Sequence, residues 1–305
     1  MKLGYYPGCS LRGTAREFDE SLLAIAPGIG LELEEIPDWN CCGASAAHNL
    51  NRELSLALPA RVLALAEKAG MEEVLVPCSM CFNRLAVTRH ELLEDEELRK
   101  RVSDIIKMDY QGTARALNIL ETLGKLFDEG IEDKFVKPFD HEVACYYGCL
   151  IVRPPKIVQF DRYEDPQSMD ELMKKIGAHP IDWAFKVECC GAGLSISRTD
   201  LVAKLSGKII EDAVHRGAEA IIVACPMCHA NLDMRQEKVE KLKGKKYSIP
   251  VLYLTQAIGL ALGLEKKKLS LHRHMVPVVF PPREKPAIES KSKTKTGKVA
   301  GQVEE

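Results

Sequence analysis

The chain has 305 residues, and its apolar fraction of 46% and charged fraction of 28% are those of an ordinary globular protein. Its formal net charge of -2 at pH 7 excludes the strong positive field that is typical of proteins that bind nucleic acid or anionic membranes. The length allows two domains, each with its own core.

The N-terminal sequence predicts the cellular compartment of the protein. Residues 1–10 contain no apolar signal-peptide core, so we expect no export. The apolar stretch at 251–264 is too short to cross a bilayer and predicts a buried strand and helix. We therefore expect a cytoplasmic protein without a transmembrane segment. In a reducing compartment, clustered cysteines are more often metal ligands or redox centres than disulfides.

The first half of the chain predicts strands that alternate with helices. A short apolar run reaches Cys9, a helical period spans residues 15–29, and residues 31–36 predict a strand. An amphipathic helix at 52–69 ends at Gly70, and a β-branched run follows it. This alternation predicts a small, mainly parallel sheet flanked by helices.

The second half repeats the first. Residues 5–9 (YYPGC) are matched by residues 146–149 (YYGC), and a helix at 199–216 precedes a strand at 221–223. A repeat of this length indicates duplicated domains. We predict an α/β fold with a first domain at 1–139, a second at 140–270 and a C-terminal extension at 271–305. From about residue 281 the composition predicts a flexible tail.

Ten of the eleven cysteines form two copies of one pattern. Each copy has a lone cysteine, an adjacent pair followed by glycine, and a Cys-x-x-Cys pair, and each group follows a predicted strand. The first cysteine set is Cys9, Cys41, Cys42, Cys78 and Cys81, and the second cysteine set is Cys149, Cys189, Cys190, Cys225 and Cys228. Cys145 lies outside both sets and is a reserve ligand, a redox thiol or an inert buried residue.

Five sulfurs per set differ from the common metal-site patterns, in which four thiolates close a zinc site or hold a cubane iron-sulfur cluster. An adjacent pair cannot bind one metal ion without strain, but it can hold two irons of one cluster. Crowded thiolates are also costly to bury unless a metal neutralises them. The residues therefore favour metal clusters, with structural zinc or incidental core thiols as the alternatives.

The spacings C-x31-CCG-x34-C-x2-C and C-x39-CCG-x33-C-x2-C resemble those of the CCG domain family, and within it the family of heterodisulfide reductase B-type catalytic subunits. The resemblance extends to about Leu264 and includes residues 143–149 (VACYYGC) and 251–256 (VLYLTQ). It implies two tandem CCG domains, in each of which the five cysteines bind a noncubane 4Fe-4S cluster. All ten cysteines of the two sets are then cluster ligands.

The resemblance further implies that the two clusters together cleave a disulfide. In methanogens this substrate is the mixed disulfide of coenzyme M and coenzyme B, and a related disulfide is the other option. Cleavage takes two electrons whereas a cluster normally passes one, which fits the duplication. The chain shows no Gly-x-Gly-x-x-Gly and no flavin signature, so electrons must come from partners. The family implies two partner subunits of the heterodisulfide reductase type: a ferredoxin-like iron-sulfur subunit and a flavin subunit.

Two other functions remain open. Related CCG domains occur in electron-transfer iron-sulfur subunits of lactate, glycolate or succinate oxidoreductases, where one half often loses the pattern. Here both halves keep five sulfurs, which favours the catalytic function. The third possibility is an assembly scaffold stabilised by zinc.

A few residues near the cysteines have alternative roles. His229 directly follows Cys228 and can donate a proton to a leaving thiolate, but its repeat counterpart is Phe82, which favours a packing role. Arg12 and Arg198 can hold an anionic substrate, although such residues more often carry surface charge.

Overall fold

A computed structural model of the protein describes residues 1–45 and 47–280. The predicted flexible tail from about residue 281 lies outside these residues, as does most of the predicted extension at 271–305. Within the described part of the chain, no helix is both long and apolar enough to cross a membrane.

The first half consists of short strands separated by helices, as the alternating sequence pattern predicts. Its elements in chain order are β1 (Lys2–Tyr5), α1 (Gly8–Arg12), α2 (Arg16–Ile25), β2 (Glu32–Glu35), α3 (Ala47–Leu50), α4 (Arg52–Lys68), β3 (Glu73–Leu75), α5 (Ser79–Glu94), α6 (Glu96–Ile106), β4 (Arg115–Leu117) and α7 (Ile119–Asp128).

The second half follows the same order with shorter helices after its first strand. Its elements are β5 (Glu142–Tyr146), α8 (Pro155–Val158), α9 (Ser168–Lys175), β6 (His179–Pro180), α10 (Thr199–His215), β7 (Ala220–Val223), α11 (Pro226–Asp233), α12 (Gln236–Lys243), β8 (Val251–Tyr253) and α13 (Leu254–Ala261).

The two halves contain four-stranded sheets of identical topology. The strand orders are β2-β1-β3-β4 and β6-β5-β7-β8, and all the strand pairs are parallel. The chain first moves from β1 to β2 on one side and then crosses to β3 on the other, which creates a switch point between β1 and β3. The equivalent point lies between β5 and β7. The predicted fold of two duplicated α/β domains is confirmed.

Most elements lie within a few residues of their predicted bounds. The helix predicted at 52–69 is α4, whose N-terminus is capped by the side chain of Asn51 and which ends just before Gly70, a residue with φ of +72°. The helix predicted at 15–29 is shorter, because α2 ends before Pro27, which has no backbone N–H to continue the helical hydrogen bonds.

An approximate two-fold axis relates the two halves. Helix α2 packs on α13, and α7 packs on α9. By its position in the second half, α9 is the counterpart of α2, because each precedes the second strand of its sheet. In the same way α13 is the counterpart of α7, because each follows the last strand. The two helix contacts are therefore equivalent. A two-fold arrangement uses the same surface of both partners. A residue close to the axis therefore faces its own repeat counterpart.

The contact between α2 and α13 is fully packed. The buried ring of Phe18 stacks on the ring of Tyr253, the last residue of β8 and the N-cap residue of α13, with 4.2 Å between the centroids. The hydroxyl groups of Ser21 and Thr255 form a buried hydrogen bond of 2.7 Å. Because apolar and polar groups are both matched across this contact, the two halves form one unit.

Replacing Phe18 with alanine tests the contribution of this contact. Phe18 is 0% exposed, so we expect Phe18→Ala to lower the free energy of unfolding by about 3–5 kcal/mol. Leu23 lies on the same helix and is 42% exposed, so Leu23→Ala is the control, with an expected loss of about 0.5 kcal/mol. Chemical denaturation measures both, and equal losses would contradict the packing described here.

Candidate metal centres

Both cysteine sets lie at the carboxyl ends of strands. Cys9 follows β1, Cys41 and Cys42 follow β2, and Cys78 caps the N-terminus of α5 directly after β3. Cys225 caps α11 in the same way. Open α/β sheets bind ligands at this edge, and helix N-termini stabilise thiolates there.

The first cysteine set forms one continuous group of sulfurs. The Sγ atom of Cys9 lies 3.5 Å from that of Cys41, and the Sγ atom of Cys42 lies 3.3 Å from that of Cys81. The thiols of Cys41 and Cys42, and those of Cys78 and Cys81, lie close enough to shift each other's pKa. The structure therefore brings together all five predicted ligands of this set.

The second cysteine set has the same arrangement. The Sγ atoms of Cys190 and Cys228 are 3.7 Å apart. The thiols of Cys149 and Cys189, and those of Cys225 and Cys228, lie close enough to shift each other's pKa. The predicted ligands of the second set thus lie side by side like those of the first.

The two cysteine sets meet at the two-fold axis. Cys78 and Cys225 are repeat counterparts, and their thiols lie close enough across the interface to shift each other's pKa. Beside them, Ser79 Oγ donates a buried hydrogen bond of 3.1 Å to the carbonyl oxygen of Ala224. The fold therefore places ten sulfurs in one connected region between the two sheets.

Each set has a buried side and an exposed edge. The lone cysteine and the first cysteine of the adjacent pair reach the surface: Cys9, Cys41 and Cys189 are exposed, and Cys149 is half-buried. The remaining cysteines of both sets are buried. A group held by either set would be accessible to a small molecule from one side only.

Crowding strongly separates the pKa values of neighbouring thiols. Hydrogen bonds from Cys42 and Cys9 lower the pKa of Cys41 to about 2, and a hydrogen bond from Cys149 lowers the pKa of Cys189 to about 6. The same hydrogen bonds raise the pKa of Cys9 and Cys149. One thiol of each pair ionises at the expense of its neighbour, so five thiolates in one set require the positive charge of bound metal.

Glycines create the space that the sulfurs occupy. Gly8 and Gly148 both have positive φ, at +63° and +69°. A Cβ atom at Gly8 would lie 3.2 Å from Cys81 Sγ, and one at Gly148 would lie 2.9 Å from Cys228 Sγ. The backbone must approach the sulfurs closely at both positions, so a side chain there would displace a predicted ligand.

The glycine after each adjacent pair also contacts sulfur. The backbone N–H of Gly43 donates to Cys41 Sγ at 3.5 Å, and that of Gly191 donates to Cys189 Sγ at 3.3 Å. Such hydrogen bonds stabilise thiolate ligands and tune the potential of a bound cluster. The donor set, the space and these hydrogen bonds all fit an iron-sulfur cluster in each half.

One tyrosine in each half has a role at the site that the sequence pattern did not predict. Tyr6 donates to the carbonyl oxygen of Asn40 at 2.8 Å, and Tyr146 donates to that of Glu188 at 2.6 Å. Each acceptor immediately precedes the adjacent cysteine pair, so the two buried tyrosines fix the loops that carry these pairs. Their sequence signal is a tyrosine three residues before the lone cysteine in both halves.

Strand register shows the place of the eleventh cysteine. Cys145 in β5 occupies the position that Tyr5 has in β1, which aligns Tyr6 with Tyr146. Cys145 is completely buried, and burial raises the pKa of its thiol. It has no hydrogen bond or electrostatic contact with either cysteine set among those found in the described residues, which supports the inert alternative.

Other candidate side chains already have partners. His229 is buried and stacks on a tyrosine ring, in line with a packing role. Arg12 forms an ion pair of 2.8 Å with Asp19, and Arg198 forms one of 3.0 Å with Asp200. These ion pairs oppose the use of either arginine as a dedicated substrate anchor.

Comparison with known proteins identifies the family. The model of the cysteine-rich CCG domain matches this chain twice, at residues 3–86 and 143–233. The chain belongs to the CCG family. Both matched regions contain a complete cysteine set.

Several relatives cover almost the whole chain. One is the B-type subunit of a ferredoxin/F420H2-dependent CoB-CoM heterodisulfide reductase from Methanosarcina acetivorans, with 30% identity over 90% of this chain and 94% of the relative. Another is the membrane anchor subunit of 8-methylmenaquinol:fumarate reductase from Wolinella succinogenes, with 34% identity over 90% of this chain and 97% of the relative. Both relatives are named as subunits of oxidoreductases.

A solved structure supports the fold alone. A hypothetical protein from Helicobacter pylori superposes with a TM-score of 0.74 at 15% identity. The match covers 91% of this chain, which spans 52% of that protein.

Substitution of Gly148 tests the close approach of backbone and sulfur. We expect Gly148→Ala to lose about half of the bound metal, because the new Cβ atom displaces Cys228. The positive φ of residue 148 is also strained for alanine. Gly193→Ala is the control, since no atom lies within 4 Å of a Cβ atom there. Mass spectrometry gives the metal per chain, and full metal in Gly148→Ala would show that the second set does not need this approach.

Proposed function

We propose that this protein is the catalytic subunit of a heterodisulfide reductase-type complex. The ten cysteines bind two noncubane 4Fe-4S clusters, the first set holding one and the second set the other. The reaction is the reductive cleavage of a small disulfide, either the coenzyme M–coenzyme B heterodisulfide or a related one. A flavin subunit supplies the electrons through a ferredoxin-like iron-sulfur subunit.

The contact between Cys78 and Cys225 carries this proposal. Bound clusters normally pass single electrons, whereas cleavage of a disulfide consumes two electrons and two protons to give two thiols. Because equivalent ligands of both sets meet at the two-fold axis, two clusters would lie next to each other. A disulfide placed between them can receive both electrons without leaving the site.

The side chains of the protein hold and orient the reacting groups. Cys9 and Cys41 in one half, and Cys149 and Cys189 in the other, leave one edge of each set open to a small disulfide and to water as the proton source. The buried cysteines and the hydroxyl of Tyr6 keep the other side rigid and dry. A fixed geometry lowers the entropic cost of bringing both sulfurs into place.

A second candidate function has specific support. The 34% identity to a protein of a fumarate reductase favours an electron-transfer iron-sulfur role in a bacterial redox complex. In that function the clusters relay electrons and bind no thiol. The two candidates therefore differ in their response to added thiol.

Electron paramagnetic resonance separates these two functions. The protein is purified without oxygen, oxidised, and mixed with coenzyme M, coenzyme B or a small cellular thiol in separate samples. We expect about eight irons per chain and a new paramagnetic signal with the correct thiol. Eight irons without any thiol-dependent signal would favour electron transfer alone, and about two zincs with no signal would contradict both functions.

Cysteine variants test the ligand assignment. Cys42→Ser and Cys190→Ser should each remove about four irons and leave the other cluster intact, because serine is a poor iron ligand and each proposed cluster has its own five cysteine ligands. Cys145→Ala is the matched control and should keep all the iron. Iron analysis with absorption spectroscopy measures the outcome. If both clusters survive either serine variant, the proposed ligands are wrong.

A further inference from the structure

A second group of ligand-type side chains lies outside both cysteine sets. His229 and Asp233 project from successive turns of α11, and His274 approaches them from the segment after α13. Their ligand atoms all lie within 4.8 Å of one another, and all three side chains are buried. We infer that these three residues form a divalent metal site, with zinc as the preferred ion.

The spacing of the two imidazole rings suits zinc. His229 Nε2 and His274 Nδ1 are 3.2 Å apart. Two nitrogens bound to one tetrahedral zinc at 2.0–2.1 Å are separated by about 3.3 Å. The rings thus already stand at the distance that a shared metal requires, and the carbonyl oxygen of Val251, 3.1 Å from His229 Nε2, or a water can take the fourth position.

Asp233 supplies the third ligand. Its two carboxylate oxygens accept the backbone N–H groups of Met275 and Val276 at 2.7 and 3.0 Å, which leaves further lone pairs on both oxygens. These hydrogen bonds hold the carboxylate beside His274. The same residue therefore orients the segment that carries the second imidazole.

Charge also favours a cation at this place. Asp233 is only 2% exposed, and the nearby Glu17 is only 8% exposed. Within residues 1–45 and 47–280, no lysine or arginine forms an ion pair with Asp233. A buried carboxylate without a positive partner is costly, and a divalent ion bound by Asp233 would neutralise its charge.

Glu17 is placed to orient the metal ligand. Its Oε1 atom lies 3.9 Å from His229 Nδ1, the ring nitrogen that faces away from His274. A carboxylate beside the distal nitrogen of a histidine is a common support of metal sites. At 3.9 Å the Glu17 carboxylate makes no hydrogen bond to His229, but its charge favours a hydrogen on Nδ1 and leaves Nε2 free to bind a metal. Glu17 belongs to α2 in the first half, so the site would connect both halves and steady α11, which carries Cys228 and is capped by Cys225.

Gln256 provides a sharp test of this inference. Its Nε2 atom lies 2.8 Å from His274 Nε2, so in the metal-free chain the hydrogen of His274 resides on Nδ1 and points at His229. Metal binding through Nδ1 moves this hydrogen to Nε2, where the amide of Gln256 could accept it only by turning and breaking its hydrogen bonds with the backbone N–H of Tyr253 and the carbonyl oxygen of Leu269. The carboxylate introduced by Gln256→Glu would accept the hydrogen directly, and we expect this variant to bind zinc about 10-fold more tightly.

The experiment uses the full chain with its iron intact. After anaerobic purification and incubation with zinc, we expect about one zinc per chain in addition to the iron, and X-ray absorption should show nitrogen and oxygen ligands at about 2.0–2.1 Å. His274→Ala and Asp233→Asn should lose the zinc and keep the iron. His272→Ala, at an exposed neighbouring position, should keep both.

Three results would overturn the inference. They are the absence of zinc from the wild-type chain, zinc bound by sulfur at about 2.3 Å in a cysteine set, and full zinc in His274→Ala. The X-ray absorption spectrum of the wild-type protein decides the first two even if a variant fails to fold.

Discussion

The contact of Cys78 with Cys225 across the approximate two-fold axis is the constraint on which the site depends. Duplication gives each half an equal cysteine set at the switch point of a parallel sheet. The equivalent helix contacts, α2 on α13 and α7 on α9, then fix the halves so that these sets face each other. A single half lacks the second cysteine set and the contact between Cys78 and Cys225.

The energetic problem of the site is charge. Thiols packed at 3.3–3.7 Å cannot all ionise, which is why Cys41 and Cys189 have lowered pKa values while those of their neighbours are raised. Bound metal removes this conflict, because it replaces shared hydrogens with positive charge. The glycines beside the sulfurs leave room for the close approach of the backbone, and Tyr6 and Tyr146 hold the loops that carry the adjacent cysteine pairs.

Much of this arrangement could be predicted from the sequence. The ten cysteines, the alternation of strands and helices, and the duplication are local patterns that need no tertiary information. The two-fold packing could not be predicted from the sequence, because it depends on pairs such as Phe18 and Tyr253 that lie far apart in the chain. Tyr6 and Tyr146 were visible as a repeat, but their role follows only from carbonyl acceptors in another loop. The group around His229 was missed because His274 comes from a distant segment.

A crystal structure of the anaerobically purified protein, with diffraction data recorded at the iron absorption edge, tests the central claim most directly. We expect two iron clusters, one within each cysteine set, on either side of the contact between Cys78 and Cys225. Iron in one set only, cystines in place of clusters, or clusters separated by ordered protein would contradict it.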